Sequence, residues 1–305
     1  MGKDLADAFP TARAVFDEVD DALEAPLTPI VWDGPADALT LTENAQPALM
    51  AVSLAAMRVL ESEKGWNVAE ARFVAGHSLG EYSALAAAGA LSIGDAARLL
   101  RIRGRAMQEA VPVGEGAMAA LLGADLESAA KVAEICSEAT GLVCQVANDN
   151  APGQVVISGA KAAVEHAASI VREFGIKRAL PLPVSAPFHC ALMQPAADRM
   201  ETALADVTLA APAVPLVANV TALPVIDPEV IRRLLVEQVT GSVRWRESVL
   251  YMAEQGVRQI YEIGAGKVLS GMVRRIDERL SGTPIGTPAD LENIDRGPLK
   301  STANH

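Results

Sequence analysis

The chain has 305 residues, half of them hydrophobic, with a formal net charge of −12. That length buries a sizeable core and divides into more than one lobe, and the negative balance argues against nucleic acid or an anionic membrane as the main partner. No apolar stretch is long and uncharged enough to span a bilayer. The opening Met1-Gly2-Lys3-Asp4-Leu5 lacks the basic-then-apolar build of a signal peptide, and the three cysteines, Cys136, Cys144 and Cys190, lack metal-ligand spacing. A cytoplasmic chain with no metal and no cofactor is the expectation.

Along the chain, short β-branched runs alternate with longer amphipathic ones, the pattern of an α/β fold with a mainly parallel sheet flanked by helices. The spacing predicts helices near 12–24 and 43–62, a strand over 72–76, and a helix over 79–88. Between that strand and helix lies Gly76-His77-Ser78-Leu79-Gly80, the Gly-x-Ser-x-Gly pattern of a nucleophile elbow. Its glycines are expected to let the backbone turn without Cβ clashes. The helix N-terminus behind it offers amides and a positive dipole end to a developing oxyanion. An ordinary loop serine is the alternative reading.

The next helix is predicted over 94–110, where Ala96, Leu99, Leu100, Met107 and Ala110 form one apolar stripe with Arg103 in its middle. An inward guanidinium needs a partner, because an unpaired buried charge costs roughly several kcal/mol. A structural ion pair and a two-point clamp on a substrate carboxylate are both open on spacing alone.

Residues 112–183 read differently. Strands over 116–122, 142–147, 154–158 and 177–182 and helices over 126–139 and 160–174 give β-α-β-β-α-β, with a turn at 148–153. That is the ferredoxin-like order, read as a small lobe inserted into a larger one made of 1–111 and 184–305. A cleft between two lobes is a common substrate site. Helices near 190–206, 228–239, 244–255 and 267–280 follow, with strands at 214–219, 258–263 and 283–286. Glu262-Ile263-Gly264-Ala265-Gly266-Lys267 lacks the full phosphate-loop spacing and reads as a strand-to-helix turn. The basic pairs Lys177-Arg178, Arg232-Arg233 and Arg274-Arg275 read as solvated faces.

A serine nucleophile needs a base, and the chain offers only four histidines. His305 is terminal, His166 sits on a small-lobe helix as a surface residue, and His77 is expected to point away from its neighbour Ser78. His189 remains, in the Pro-punctuated loop Pro183-Val184-Ser185-Ala186-Pro187-Phe188-His189-Cys190 at a lobe boundary. Such loops carry functional groups more often than scaffold does. Without Ser78, a polar loop histidine or helix cap would be the better reading; with it, His189 is the candidate general base.

Together these residues resemble the malonyl-CoA:acyl carrier protein transacylase family of fatty-acid synthesis. The match covers nearly the whole chain, through Thr42-Glu43-Asn44-Ala45-Gln46-Pro47-Ala48, the elbow, Arg103-Gly104-Arg105-Ala106-Met107-Gln108, Asn150-Ala151-Pro152-Gly153-Gln154, the His189 loop, Leu235-Val236-Glu237-Gln238 and Glu262 to Lys267. The resemblance implies Ser78 as acylated nucleophile, His189 as base and Arg103 as clamp on the malonyl carboxylate. It also implies that the Gln238 main-chain carbonyl orients His189 and that the Leu79 amide forms half of an oxyanion hole. Malonyl-CoA and acyl carrier protein are the implied partners, and a monomer is expected. The family opens with a strand ending in Phe-Pro-Gly-Gln-Gly, whereas this chain begins after it. A start codon placed too far downstream is the expectation, with a truncated enzyme of impaired catalysis as the alternative.

Three readings compete. The first is a ping-pong acyltransferase. The second is a serine hydrolase such as a thioesterase, which gives the Arg103 charge no acyl partner. The third is a protein that keeps the fold but only binds an acyl carrier.

Overall fold

A computed structural model describes residues 1–294 of the α/β chain. In chain order its strands are β1 (Val74–Ala75), β2 (Gly116–Leu122), β3 (Cys144–Ala151), β4 (Gln154–Ala160), β5 (Arg178–Pro181), β6 (Leu216–Val217), β7 (Pro224–Val225), β8 (Gln259–Ile263) and β9 (Ser281–Ile285). β1 runs parallel to β6, which pairs antiparallel with β7. β8 and β9 make a separate parallel pair. The remaining strands form an antiparallel sheet ordered β3-β4-β2-β5, backed by helices Leu126–Thr140 and Lys161–Ile170.

The main core lies among the helices Pro10–Leu23, Thr42–Lys64, Gly80–Ala87 and Ile93–Glu109. Their apolar stripes bury Phe16, Met50, Leu60, Leu85, Leu99, Leu100 and Met107 almost completely. Gly104 lets two helices come into backbone contact. A Cβ there would lie 2.5 Å from both Glu43 Cα and Thr42 O. That contact draws the start of Thr42–Lys64 against the middle of Ile93–Glu109, so Gln46 reaches Arg103. The small sheet has its own core, built on Leu121, Val132, Cys136, Ile157 and Val164.

Several element boundaries depart from the sequence reading. β3 does not stop at Ala147 but continues to Ala151, and the reversal is made by Pro152 and Gly153. The polar run that reads as a turn is instead a bulged strand, with register shifts at Val146/Asn148 and Asp149/Ala151. Bulges re-aim side chains, and here each residue finds a partner outside the small sheet. Asn148 bridges to Val243, Asp149 pairs with Arg246 at 2.8 Å, and Asn150 meets His77 at 2.8 Å. The helix predicted over 267–280 is only Ser270–Ile276, because the Glu262 carboxylate takes the Leu269 and Ser270 amides at 3.1 and 2.6 Å and fixes the start there. The segment predicted as one helix over 160–174 tightens into a 3-10 turn at Val171–Phe174. Short helices at Lys3–Ala8, Thr28–Asp33 and Ala36–Thr40 span too few turns for periodicity to reveal.

Gly104→Ala should force those two helices apart and lower the melting temperature, by the roughly 1–3 kcal/mol that overpacking costs. Gly271→Ala, at an exposed position of the helix Ser270–Ile276 with nothing within 4 Å of the new Cβ, should hold or raise it by up to about 1 kcal/mol. Thermal denaturation of both variants checks the contrast.

Candidate active site

β1 ends at Ala75, and the chain reverses through Gly76 to Gly80 into the helix Gly80–Ala87. At Gly76 any Cβ would lie 2.0 Å from the Gly80 carbonyl, so that position demands glycine. Gly80 does not: a Cβ there meets nothing within 4 Å. Ser78 itself holds φ at +53°, a left-handed conformation that L residues rarely adopt. Asn219 staples the strained turn from both sides. Its Oδ1 accepts the Ser78 N–H at 2.7 Å and its Nδ2 donates to Gly76 O at 2.7 Å.

His189, 4% exposed, comes from the loop after β5 and also has a left-handed backbone, at φ +59°. Its Nε2 lies 2.8 Å from Ser78 Oγ. Its Nδ1 donates to Gln238 O at 2.9 Å and faces Gly241 O at 3.2 Å. Carbonyls only accept, so they hold the ring proton on Nδ1 and leave Nε2 free to accept from the serine hydroxyl. Burial, and then the nearby Arg103 charge, push His189 down to about 3. The ring is therefore neutral near pH 7.

Arg103 lies in the core at 1% exposure. Nη1 donates to Gln46 Oε1 at 2.7 Å, and Nη2 donates to Gln238 Oε1 at 2.7 Å and Ser78 Oγ at 3.0 Å. Among the described residues its Nε has no hydrogen-bond partner. Among the described residues no carboxylate forms an ion pair with it. Burial lowers its pKa, although it remains the cation of the site. The Leu79 N–H, at the entrance to the helix, makes no main-chain or side-chain hydrogen bond among the described residues.

The structure thus brings Ser78, Leu79, Arg103, His189 and Gln238 together, with three further buried polar residues that sequence reasoning missed. These are Gln46, Glu81 and Asn219. Gln46 and Glu81 each interrupt apolar helical positions as Arg103 does, which is the signal that could have found them. The Gln238 side chain also plays a part beyond its carbonyl. Its Nε2 donates to Ser78 O at 2.9 Å and to Glu81 at 2.5 Å.

The other candidates lie elsewhere. His77 turns from the site to Asn150 and packs against Trp245. His166 sits on Lys161–Ile170, and His305 is outside the described residues. Glu262 to Lys267 forms the strand-to-helix connection capped by Glu262. Arg233 pairs with Glu237 one turn on, and Arg275 donates to Pro152 O. A serine hydroxyl aimed at an unprotonated imidazole, with a free amide and an uncompensated guanidinium beside it, can attack a carbonyl and hold the anion that results.

Among the described residues, no helix is long and apolar enough to cross a membrane. The model of the acyl transferase domain family matches residues 1–280. Malonyl CoA-acyl carrier protein transacylase of Bacillus subtilis is 46% identical over 292 residues, spanning 96% of this chain and 90% of that protein. The crystal structure of acyl-carrier-protein-S-malonyltransferase from Bartonella henselae superposes with a TM-score of 0.92 at 57% identity, covering 96% of this chain and 92% of that one. A malonyl-transacylase solved in complex with its type II PKS acyl-carrier protein superposes with a TM-score of 0.91 at 44% identity, covering 96% and 93%. The chain is an acyltransferase of the acyl transferase domain family, and within it belongs to the malonyl CoA-acyl carrier protein transacylases.

Proposed function

We propose that the chain moves malonyl from coenzyme A to the phosphopantetheine thiol of acyl carrier protein, through an acyl-enzyme on Ser78. Ser78 Oγ attacks the thioester carbonyl while His189 Nε2 takes its proton. The carbonyl oxygen becomes an oxyanion facing the Leu79 N–H. Collapse expels the coenzyme A sulfur, which leaves with the proton held by His189. In the second half the carrier's thiol gives its proton to His189 and attacks the malonyl ester, and Ser78 recovers its hydroxyl as the new thioester departs. The Gln238 and Gly241 carbonyls stabilise the transient imidazolium.

The observation that carries this reading is Arg103: a buried guanidinium with only neutral acceptors, 3.0 Å from Ser78 Oγ. A malonyl carboxylate supplies the missing anion and is held two-point at the distance the acyl carbon needs. It also offsets the Arg103 charge, which after burial is the next cause holding His189 low, so the right substrate relieves part of that depression. A fatty acyl chain brings no such anion, which argues against a thioesterase. Similarity to a malonyl-transacylase solved with its carrier protein supports the second partner. The reading places the chain in the cytoplasm, in keeping with three free cysteines.

Incubation with malonyl-CoA should add one malonyl mass to the intact protein, mapping to the Ser78 peptide and absent in Ser78→Ala. A persistent or relocated adduct overturns the nucleophile and, if no adduct forms at all, the chain only binds. His189→Ala should slow acylation by about 10²–10⁴-fold.

Arg103→Ala should lower malonyl transfer on the order of 10–100-fold more than acetyl transfer, and Arg103→Lys should recover only part. Equal losses for the two acyl groups would make Arg103 structural.

Because His189 is held near 3, the kcat/KM profile for acylation should show no limb at the ordinary 6.5. The same shift acts on stability. Below 6.5 the unfolded chain protonates this ring while the folded one does not, so stability falls as pH drops from 6.5 towards 3. His189→Gln should lose less melting temperature than the parent across that window.

A further inference from the structure

Glu81 is a buried carboxylate that the reaction above does not use. It sits on the first turn of the helix Gly80–Ala87, three residues after Ser78, at 1% exposure. Its Oε1 accepts the Asn219 main-chain N–H at 2.6 Å, and its Oε2 accepts Gln238 Nε2 at 2.5 Å. Both residues it holds reach the reacting groups. Asn219 staples the Ser78 turn, while Gln238 binds Arg103 through its side chain and His189 through its carbonyl.

We propose that Glu81 is a positioning residue that fixes the orientation of the Gln238 side-chain amide and thereby presents Arg103 to a substrate carboxylate. The inference rests on the reading of Arg103 as the malonyl clamp. A carboxylate is an acceptor with no proton to give. Gln238 faces two such acceptors, Glu81 Oε2 and Ser78 O, so its NH2 must turn to them and its Oε1 must turn to Arg103 Nη2. The inverted amide would set oxygen against two acceptors and NH2 against a guanidinium. Glu81, with Ser78 O, thus fixes what Arg103 meets without touching it.

The arrangement also solves a charge problem. A carboxylate paired directly with Arg103 would occupy the edge a substrate anion needs. Placed one amide away, Glu81 offsets part of the buried positive charge and leaves the guanidinium free to bind. Burial pushes the Glu81 carboxyl up to about 7, against the opposing hydrogen bonds from Asn219 and Gln238 and the Arg103 charge.

The test compares malonyl and acetyl transfer at about pH 8, where Glu81 is mainly ionised. Glu81→Gln keeps the shape but sets an NH2 against the Gln238 NH2, so Gln238 inverts. Malonyl kcat/KM should fall about 10–100-fold relative to acetyl. In a Gln238→Leu background the same substitution should change the malonyl-to-acetyl ratio no further, since the amide through which it acts is gone. Equal losses for the two acyl groups, or additive effects on the ratio, overturn the inference. Should Glu81→Gln unfold at the assay temperature, the ratio is read from Glu81→Asp, which keeps the charge but draws the acceptor away from Gln238 Nε2. A malonyl-specific loss there supports the link and equal losses overturn it. Arg103→Ala, run alongside, separates the two ideas. Equal losses in that variant bring down the clamp, whereas a malonyl-specific loss in it beside equal losses in Glu81→Gln brings down only the role of Glu81.

Discussion

A guanidinium sealed inside an apolar core with no carboxylate against it is the condition around which the site is arranged. Moving such an ion out of water costs several kcal/mol, of that order, even after relaxation. Three neutral oxygens, from Gln46, Gln238 and Ser78, offset part of that cost. Neutral acceptors satisfy geometry without cancelling charge, so Arg103 keeps its pull on an anion. The fold is drawn in to supply them. Gly104 lets two long helices touch so that Gln46 arrives from one side, and the end of the helix Pro228–Thr240 brings Gln238 from the other.

Of the four non-glycine residues held in left-handed backbone among the described residues, two, Ser78 and His189, face each other in the site. Ser78 and His189 are both held in left-handed backbone, at about 1–3 kcal/mol each. Neither could persist unless its surroundings over-determined it. Asn219 pins the serine turn by two hydrogen bonds, and two carbonyls pin the histidine ring. Gln238 is where the restraints cross, because one residue touches His189, Arg103, the elbow and Glu81. The Gln238 and Gly241 carbonyls take the Nδ1 side of the ring, where a triad carboxylate would otherwise stand.

What the sequence disclosed follows from how local each signal is. Long helices were legible because their stripes repeat over several turns, and Arg103 because it interrupts one of them. His189 emerged because the alternatives were few. The Gln238 carbonyl was reachable only through family resemblance, since a main-chain oxygen leaves no mark in residue type. Glu81 and Asn219 stayed hidden for a related reason: their partners are 138 to 157 residues away in the chain. Strands were read too long, at 72–76 and 214–219, because burial makes a run apolar whether or not a neighbour pairs with it. The ladder holds only two residues in each. Asn148, Asp149 and Asn150 mimic a turn because their partners lie across the molecule.

Those three residues have a mechanical consequence. They stitch one strand of the small sheet to the segment 243–246 and to the elbow, by a backbone bridge, a charged pair and a side-chain bond in immediate succession. Asp149 is 2% exposed within its pair, so a rocking motion of one sheet against the other would strand a carboxylate away from water. Breaking such a pair costs about 3–5 kcal/mol. The spacing between the Ser78 elbow and the small sheet is therefore tied to a buried charge as well as to packing.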